Sequence, residues 1–254
     1  MTTTVPYAVP ECAPIRVDAD GPECCLCVHG FTSCPAVYTE LAERLAGMGY
    51  ALSAPLLPGH GTTPEDLGAV AEIEWFEAVA REYEALRGGY RTIHVVGLSL
   101  GGAIASWLAA SRAGEPGLGR LVLLSPAYGL ANKDYYAVDY ASAEDRLIPI
   151  RVRPRLGDGL DAGRYQYPAM PLRAVGQLML AAERGRASRP GITAPTALLY
   201  TAADAVVDPV RIEEAATSIR SIERVQRYDG GEHNLLLGPD RLDVVERVAG
   251  FLER

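Results

Sequence analysis

A serine stands among glycines in Gly97-Leu98-Ser99-Leu100-Gly101-Gly102. Upstream, Ile93-His94-Val95-Val96 reads as a strand; downstream, Ala103-Ile104-Ala105-Ser106-Trp107 reads as a helix. A hydroxyl at such a strand-to-helix turn is lifted above the edge of a sheet, and glycines on both flanks relieve the crowded backbone. The helix N-terminus behind it favours negative charge developing nearby. Such a serine suits nucleophilic acyl transfer. A phosphate binder also uses glycine-lined turns of this kind, but neither Gly-x-Gly-x-x-Gly nor a P-loop lysine accompanies this one.

A serine nucleophile needs a base, and the chain offers four histidines. His94 belongs to the strand that feeds the serine, and His29 and His60 lie on earlier loops beside glycine. His233 follows the last expected strand, in Asp229-Gly230-Gly231-Glu232-His233-Asn234. A loop there can swing an imidazole to the carboxyl edge of the sheet, so His233 is the expected base. The imidazole in turn needs a carboxylate to fix its tautomer. Asp204 is the candidate, directly after a strand in Thr201-Ala202-Ala203-Asp204-Ala205-Val206-Val207-Asp208-Pro209. Asp208 is the alternative, or else the first-turn acid of a helix opening at Pro209. The tetrahedral oxyanion requires backbone donors. Leu100 N–H is one; Phe31 N–H is the other, because Gly30 lets the loop His29-Gly30-Phe31-Thr32 turn towards the serine. Losing one such donor costs on the order of 3 kcal/mol of barrier.

The elements that position these residues follow from periodicity. Expected strands are Cys24–His29, Tyr50–Leu57, Thr92–Val96, Arg120–Leu124, Ala197–Tyr200 and Val225–Tyr228. Between them, apolar residues recur at helical spacing: Val37, Leu41, Leu45 and Met48; then Ile73, Phe76, Val79, Tyr83 and Leu86. Helices are also expected at Gly101–Ala110, Leu172–Ala182, Val210–Ile219 and Leu242–Leu252. The alternation implies an α/β fold with a mostly parallel sheet covered on both faces. It breaks between about Ser125 and Pro190, a stretch too long for a plain loop. The expected organisation is therefore a core in two parts, 1–126 and 191–254, with a cap insertion at 127–190 over the edge where open α/β sheets place ligands.

Composition narrows the function. The 254 residues carry a formal net charge of −8, 48% hydrophobic and 22% charged residues, and a single lysine, Lys133. Disorder and coiled coil are excluded as the main architecture, and an acidic chain without a basic run has no electrostatic reason to hold nucleic acid or anionic lipid. Thr92 to Ser111 has no charged residue and is nearly long enough to span a bilayer, but its glycines, serines and His94 fit a buried strand, turn and helix better, so no stable membrane insertion is expected. The start, Met1 to Tyr7, shows no basic n-region or long apolar h-region. Five cysteines, Cys12, Cys24, Cys25, Cys27 and Cys34, are an odd number. Free thiols in a cytoplasmic protein are the simplest expectation. Cys25, Cys27 and His29 would share one face of a strand, but no second ligand pair appears, so no metal and no cofactor is expected. Between 127 and 190, Tyr128, Tyr135, Tyr136, Tyr140, Tyr165 and Tyr167 mingle with Arg146, Arg151, Arg153, Arg155, Arg164 and Arg173. They read as a solvated lid balanced by Glu144, Asp145, Asp158 and Asp161, with a pocket for an anionic acyl end as the alternative.

Together these stretches resemble the α/β-hydrolase fold family from Cys24 to Leu252, and within it the small bacterial carboxylesterases and monoacylglycerol lipases. His29-Gly30-Phe31-Thr32, Pro58-Gly59-His60-Gly61, Trp75, Gly97 to Gly102 and Asp204 to Val207 carry the likeness. The order serine, acid, histidine is that family's. The resemblance implies a Ser99–Asp204–His233 triad, an oxyanion hole from Phe31 and Leu100, and hydrolysis of a small-molecule ester with no cofactor. A thioesterase, an amidase or a carbon–carbon bond hydrolase could use the same triad, and a non-catalytic ligand-binding protein could keep it. Ser33-Cys34-Pro35 departs from the Gly-Thr-Pro-like turn usual at that place. Oligomeric state is not legible in the residues.

Overall fold

The computed structural model describes residues 12–142, 146–150 and 166–253. In chain order the elements are β1 (Ile15–Val17), β2 (Glu23–Val28), α1 (Thr39–Ala46), β3 (Ala51–Ala54), α2 (Pro64–Gly68), α3 (Glu72–Arg87), β4 (Thr92–Leu98), α4 (Leu100–Ser111) and β5 (Leu118–Leu124). Then come β6 (Leu147–Pro149), β7 (Ala169–Pro171), α5 (Leu172–Ser188), β8 (Thr196–Thr201), α6 (Pro209–Ser218), β9 (Ile222–Tyr228) and α7 (Arg241–Leu252). Seven strands form one sheet in the order β1-β3-β2-β4-β5-β8-β9. Among the described residues of this sheet, β1 alone runs antiparallel to its neighbour; the other pairings in it are parallel. The expected α/β architecture is the observed one.

Side chains on a strand alternate between faces, and here both faces are covered. Cys24, Leu26 and Val28 of β2 pack with Phe76 and Val79 of α3 and Ile104 and Leu108 of α4. Cys25 and Cys27 pack on the other side with Leu41 and Leu45 of α1 and Val244 and Val248 of α7. A strand buried on both faces has no polar side to show, which is why β2, β4 and β5 read as continuous apolar runs. The charge-poor window from Thr92 to Ser111 is β4, the serine turn and α4, buried along almost its whole length. Among the described residues no helix is long and apolar enough to cross a membrane.

β5 and β8 are direct neighbours in the sheet, pairing Leu121 to Leu124 with Thr196 to Leu199. The chain between them leaves the sheet. Its described residues hold a short 3-10 helix at Lys133–Ala137, the antiparallel pair β6–β7, and α5. The last of these runs to Ser188, six residues past the expected end. It packs on α4, where a Cβ at Gly185 would lie 2.6 Å from the Cβ of Ala103.

The thiol expectation needs correction. Cys12 and Cys34 are joined in a disulfide, with Cα atoms 5.2 Å apart, while Cys24, Cys25 and Cys27 are free and buried. The pairing brings the N-terminal segment to the turn after Thr32, and it accounts for a cysteine in the unusual Ser33-Cys34-Pro35. It also removes the argument from free thiols to a reducing compartment. The cysteines around β2 and His29 are thus divided: Cys34 is oxidised, Cys24 faces the opposite side of β2 from Cys25 and Cys27, and both ring nitrogens of His29 are hydrogen-bonded to backbone.

Candidate active site

Ser99 sits between the end of β4 and the start of α4 with φ 56° and ψ −115°. A residue with a Cβ seldom adopts this conformation, and holding it costs on the order of 1–3 kcal/mol. The surroundings enforce it. Ser99 N–H donates to Leu124 O on β5 at 2.9 Å, and Ser99 O accepts from the N–H groups of Gly102 and Ala127, each at 2.9 Å. Two glycines permit the tight crossing: a Cβ on Gly97 would stand 2.3 Å from Gly101 O, and one on Gly101 would stand 1.9 Å from Val28 O. Ser99 is 8% exposed, buried except for access at the sheet edge.

The structure brings the three expected side chains together. His233 Nε2 lies 2.9 Å from Ser99 Oγ, and His233 Nδ1 lies 2.6 Å from Asp204 Oδ2. Asp204 Oδ1 accepts from Val206 N–H at 2.8 Å and Val207 N–H at 2.9 Å. Burial alone would raise this carboxyl's pKa, but the facing His233 and the two backbone donors overcome it and hold the pKa below the ordinary 3.8. Asp204 is therefore ionised where it faces the imidazole. Loop anchoring supports the alignment. Thr201 Oγ1, at the end of β8, donates to Gly230 O at 2.7 Å, and Ala202 N–H donates to Tyr228 O at 2.8 Å. The acid loop and the histidine loop are thereby tied to each other. Asp208 is not at the imidazole. It is the N-cap of α6, accepting from Val210 N–H at 3.1 Å, and it pairs with Lys133.

The loop expected to supply the second oxyanion donor lies against the elbow: a Cβ on Gly30 would be 3.4 Å from Ser99 Cβ. Leu100 N–H, at the first position of α4, belongs to the N–H groups that a helix leaves without internal partners. Two histidines left without a function by the sequence reading turn out to shape the Phe31 loop. His29 Nδ1–H donates to Gly30 O at 2.9 Å, and His29 Nε2 accepts from Leu57 N–H at 3.1 Å. His60 Nδ1–H donates to Pro58 O at 3.0 Å, and its Nε2 accepts from Thr32 N–H at 3.1 Å. A ring that donates through one nitrogen and accepts through the other must be neutral. Burial enforces this, depressing His29 well below 6.5 and His60 to about 4. The signals that could have found them are His29-Gly30-Phe31-Thr32 and Pro58-Gly59-His60-Gly61, which set each ring beside glycine.

An aromatic wall surrounds the loop. Phe31 meets Trp75 edge-on with ring centroids 6.0 Å apart, and Trp75 Nε1–H donates to Pro58 O at 3.0 Å. Of the tyrosines between β5 and β8, Tyr128 is buried with its hydroxyl 2.6 Å from Ser106 Oγ, and Tyr136 is half exposed and accepts from Leu130 N–H. Arg151, Arg153, Arg155, Arg164, Tyr165, Glu144, Asp145, Asp158 and Asp161 lie outside the described residues. Among the described residues no group of three His, Cys, Asp or Glu side chains is placed to hold a metal ion.

Chemically, this geometry lets an imidazole take a proton from a serine hydroxyl while a carboxylate stabilises the resulting positive ring. Residues 25–247 match the model of the alpha/beta hydrolase family. The chain belongs to the alpha/beta hydrolase family. Among its relatives, this alpha/beta hydrolase is 28% identical over 239 residues to a thermostable monoacylglycerol lipase of Bacillus sp. (strain H-257), covering 92% of each chain. A carboxylesterase of Bacillus subtilis (strain 168) is 40% identical over 83 residues, 32% of this chain and 34% of that one. The expected likeness to bacterial carboxylesterases and monoacylglycerol lipases is borne out. A solved structure reported for the metagenome-derived lipolytic enzymes LipS and LipT superposes with a TM-score of 0.87 at 23% identity, over 96% of this chain and 98% of that one. That likeness supports the fold.

Proposed function

We propose that this alpha/beta hydrolase is a serine hydrolase that cleaves carboxylic esters of small molecules through an acyl-enzyme on Ser99. The observation that carries the reading is the continuous line from Ser99 Oγ to His233 to Asp204, at 2.9 and 2.6 Å, on a strained turn. His233 Nε2 takes the hydroxyl proton as Ser99 Oγ attacks the carbonyl carbon. Asp204 stabilises the imidazolium, and the N–H groups of Phe31 and Leu100 receive the oxyanion. When the tetrahedral intermediate collapses, His233 protonates the leaving alcohol. A water molecule then repeats the sequence on the acyl-enzyme and frees the acid. The named activities of the monoacylglycerol lipase and carboxylesterase relatives support an ester as substrate. Residues 127–190 act in this reading as a cap over the serine, bounding the acyl and alcohol groups that fit.

The test is hydrolysis of p-nitrophenyl esters from acetate to palmitate by the protein and by Ser99→Ala. Turnover lost in the variant is expected, with the optimum chain length sizing the pocket. Equal turnover in the variant would refute the assignment of Ser99.

A further inference from the structure

Thr32 follows the expected oxyanion donor Phe31, is 3% exposed, and has φ 61°, a left-handed conformation uncommon for a β-branched residue. Every polar group it has is engaged. Its N–H donates to His60 Nε2 at 3.1 Å, and its carbonyl accepts from Tyr167 N–H at 2.8 Å. Its hydroxyl donates to Phe31 O at 2.6 Å and accepts from Gln166 Nε2 at 3.3 Å. The planar peptide joining Phe31 to Thr32 is therefore gripped at both its oxygen and its N–H, and it anchors Phe31 from one side. The preceding peptide, which carries the Phe31 N–H, is held at Gly30 O by His29 Nδ1–H at 2.9 Å and Ser33 N–H at 3.3 Å. Two of the four contacts on Thr32 come from Gln166 and Tyr167, in the segment inserted between β5 and β8. Tyr167 is also bound to the other side of the clamp. Its hydroxyl donates to Gly59 O at 3.0 Å and accepts from Thr62 N–H at 2.9 Å. Its ring lies parallel to that of His60, with centroids 6.4 Å apart.

We infer that His60, Gln166 and Tyr167 are positioning residues that hold Thr32, and through it aim the Phe31 N–H at the oxyanion. The inference rests on the serine hydrolase reading and deepens it. The inserted segment then has a second task besides bounding the substrate: it completes the clamp on the oxyanion loop. Oxyanion stabilisation depends on donors fixed before charge develops, and Thr32 in a left-handed conformation would relax if its holders were removed.

The test compares His60→Leu, which removes the acceptor, with His60→Gln, whose amide oxygen can accept from Thr32 N–H, and with Gln166→Ala and Tyr167→Phe. Three quantities are read below each variant's melting temperature: kcat and KM on a short p-nitrophenyl ester, and the inhibition constant of a trifluoromethyl ketone. That ketone adds to an activated serine and forms the same oxyanion. His60→Leu is expected to lower kcat about tenfold or more with little change in KM, and to weaken the ketone by the same factor. His60→Gln should recover most of the loss. Gln166→Ala and Tyr167→Phe should shift kcat and ketone affinity together by a smaller factor. Wild-type kcat and ketone affinity in His60→Leu would overturn the inference, as would a loss confined to KM. A purely structural role would move the melting temperature alone. If His60→Leu does not fold, Gln166→Ala and Tyr167→Phe decide by the same criterion. Failure of the underlying reading looks different: Ser99→Ala would keep its turnover, whatever the clamp variants do.

Discussion

Asp204 divides its two oxygens between a side chain and the backbone: one faces His233 Nδ1, and the other takes the N–H groups of Val206 and Val207. Asparagine at this place could keep the shape, but its amide would force the wrong tautomer on His233. Asp204→Asn should therefore lower kcat by about 10⁴-fold while the fold survives; kcat on the best ester, measured with a melting curve, checks both halves. Asp208→Asn is the control. Its carboxylate caps α6, so the substitution should leave kcat within about twofold and cost at most about 1 kcal/mol of stability. A protonated His233 ring could not accept from Ser99, so the proposed reaction needs the imidazole neutral while Asp204 is ionised. The grouping of Ser99, Asp204 and His233 was legible in sequence because the proposed chemistry asks for fixed residue types, and only four histidines competed for one of the three places. The work of His60 was not legible, since a neutral ring accepting one N–H depends on where Thr32 comes to lie.

At the scale of elements, one substitution is expected to act with opposite sign in two helices. Alanine is favoured over glycine in a helix interior by about 1 kcal/mol. Gly250 in α7 has open space where a Cβ would go, so Gly250→Ala should stabilise by roughly 0.5–1 kcal/mol. Gly185 in α5 is pressed on α4, with Ala103 Cβ, Cα and O at 2.6, 2.7 and 2.7 Å from a built Cβ. Two of those three atoms are backbone and cannot yield by a rotamer change. Overpacking of about 1–3 kcal/mol should then outweigh the propensity gain, and Gly185→Ala should destabilise. Urea midpoints of the two variants relative to the parent test this pair, and shifts of the same sign would refute it. The long periodic elements were legible for the reason that made them stable: β4, β5 and α3 bury regular apolar patterns. β1, α2 and the β6–β7 pair were missed because each is three to five residues long, too short for periodicity. Pro64 after the N-cap Thr63 was the available sign for α2.

For the whole molecule, buried neutral histidines make stability depend on pH. His60 titrates at about 4 in the folded chain and near 6.5 when unfolded, and His29 is depressed well below 6.5. The unfolded chain thus binds protons that the folded chain refuses. Stability falls as pH drops below about 6.5 and keeps falling to about 4, with His60 alone contributing about 3 kcal/mol across that window. Asp204 adds to the trend lower down: its stabilisation is complete above its unfolded value near 3.8 and is lost as pH falls through its depressed folded value. Melting temperatures measured from pH 7 to pH 4 should decline steadily, and the decline should be shallower in His60→Gln; a midpoint constant over that range would contradict the buried neutral assignment. The Cys12–Cys34 disulfide was not legible from cysteine number because pairing depends on distance, and the two residues meet across a span of 22 residues. The adjacency of β5 and β8 has a bearing on descent. The sheet closes beneath the inserted segment, whose two ends leave and re-enter at neighbouring strands. Lineages can therefore vary the part of that segment before α5 without disturbing strand register, whereas α5 itself is held against α4. Such a change must still preserve a grip on Thr32.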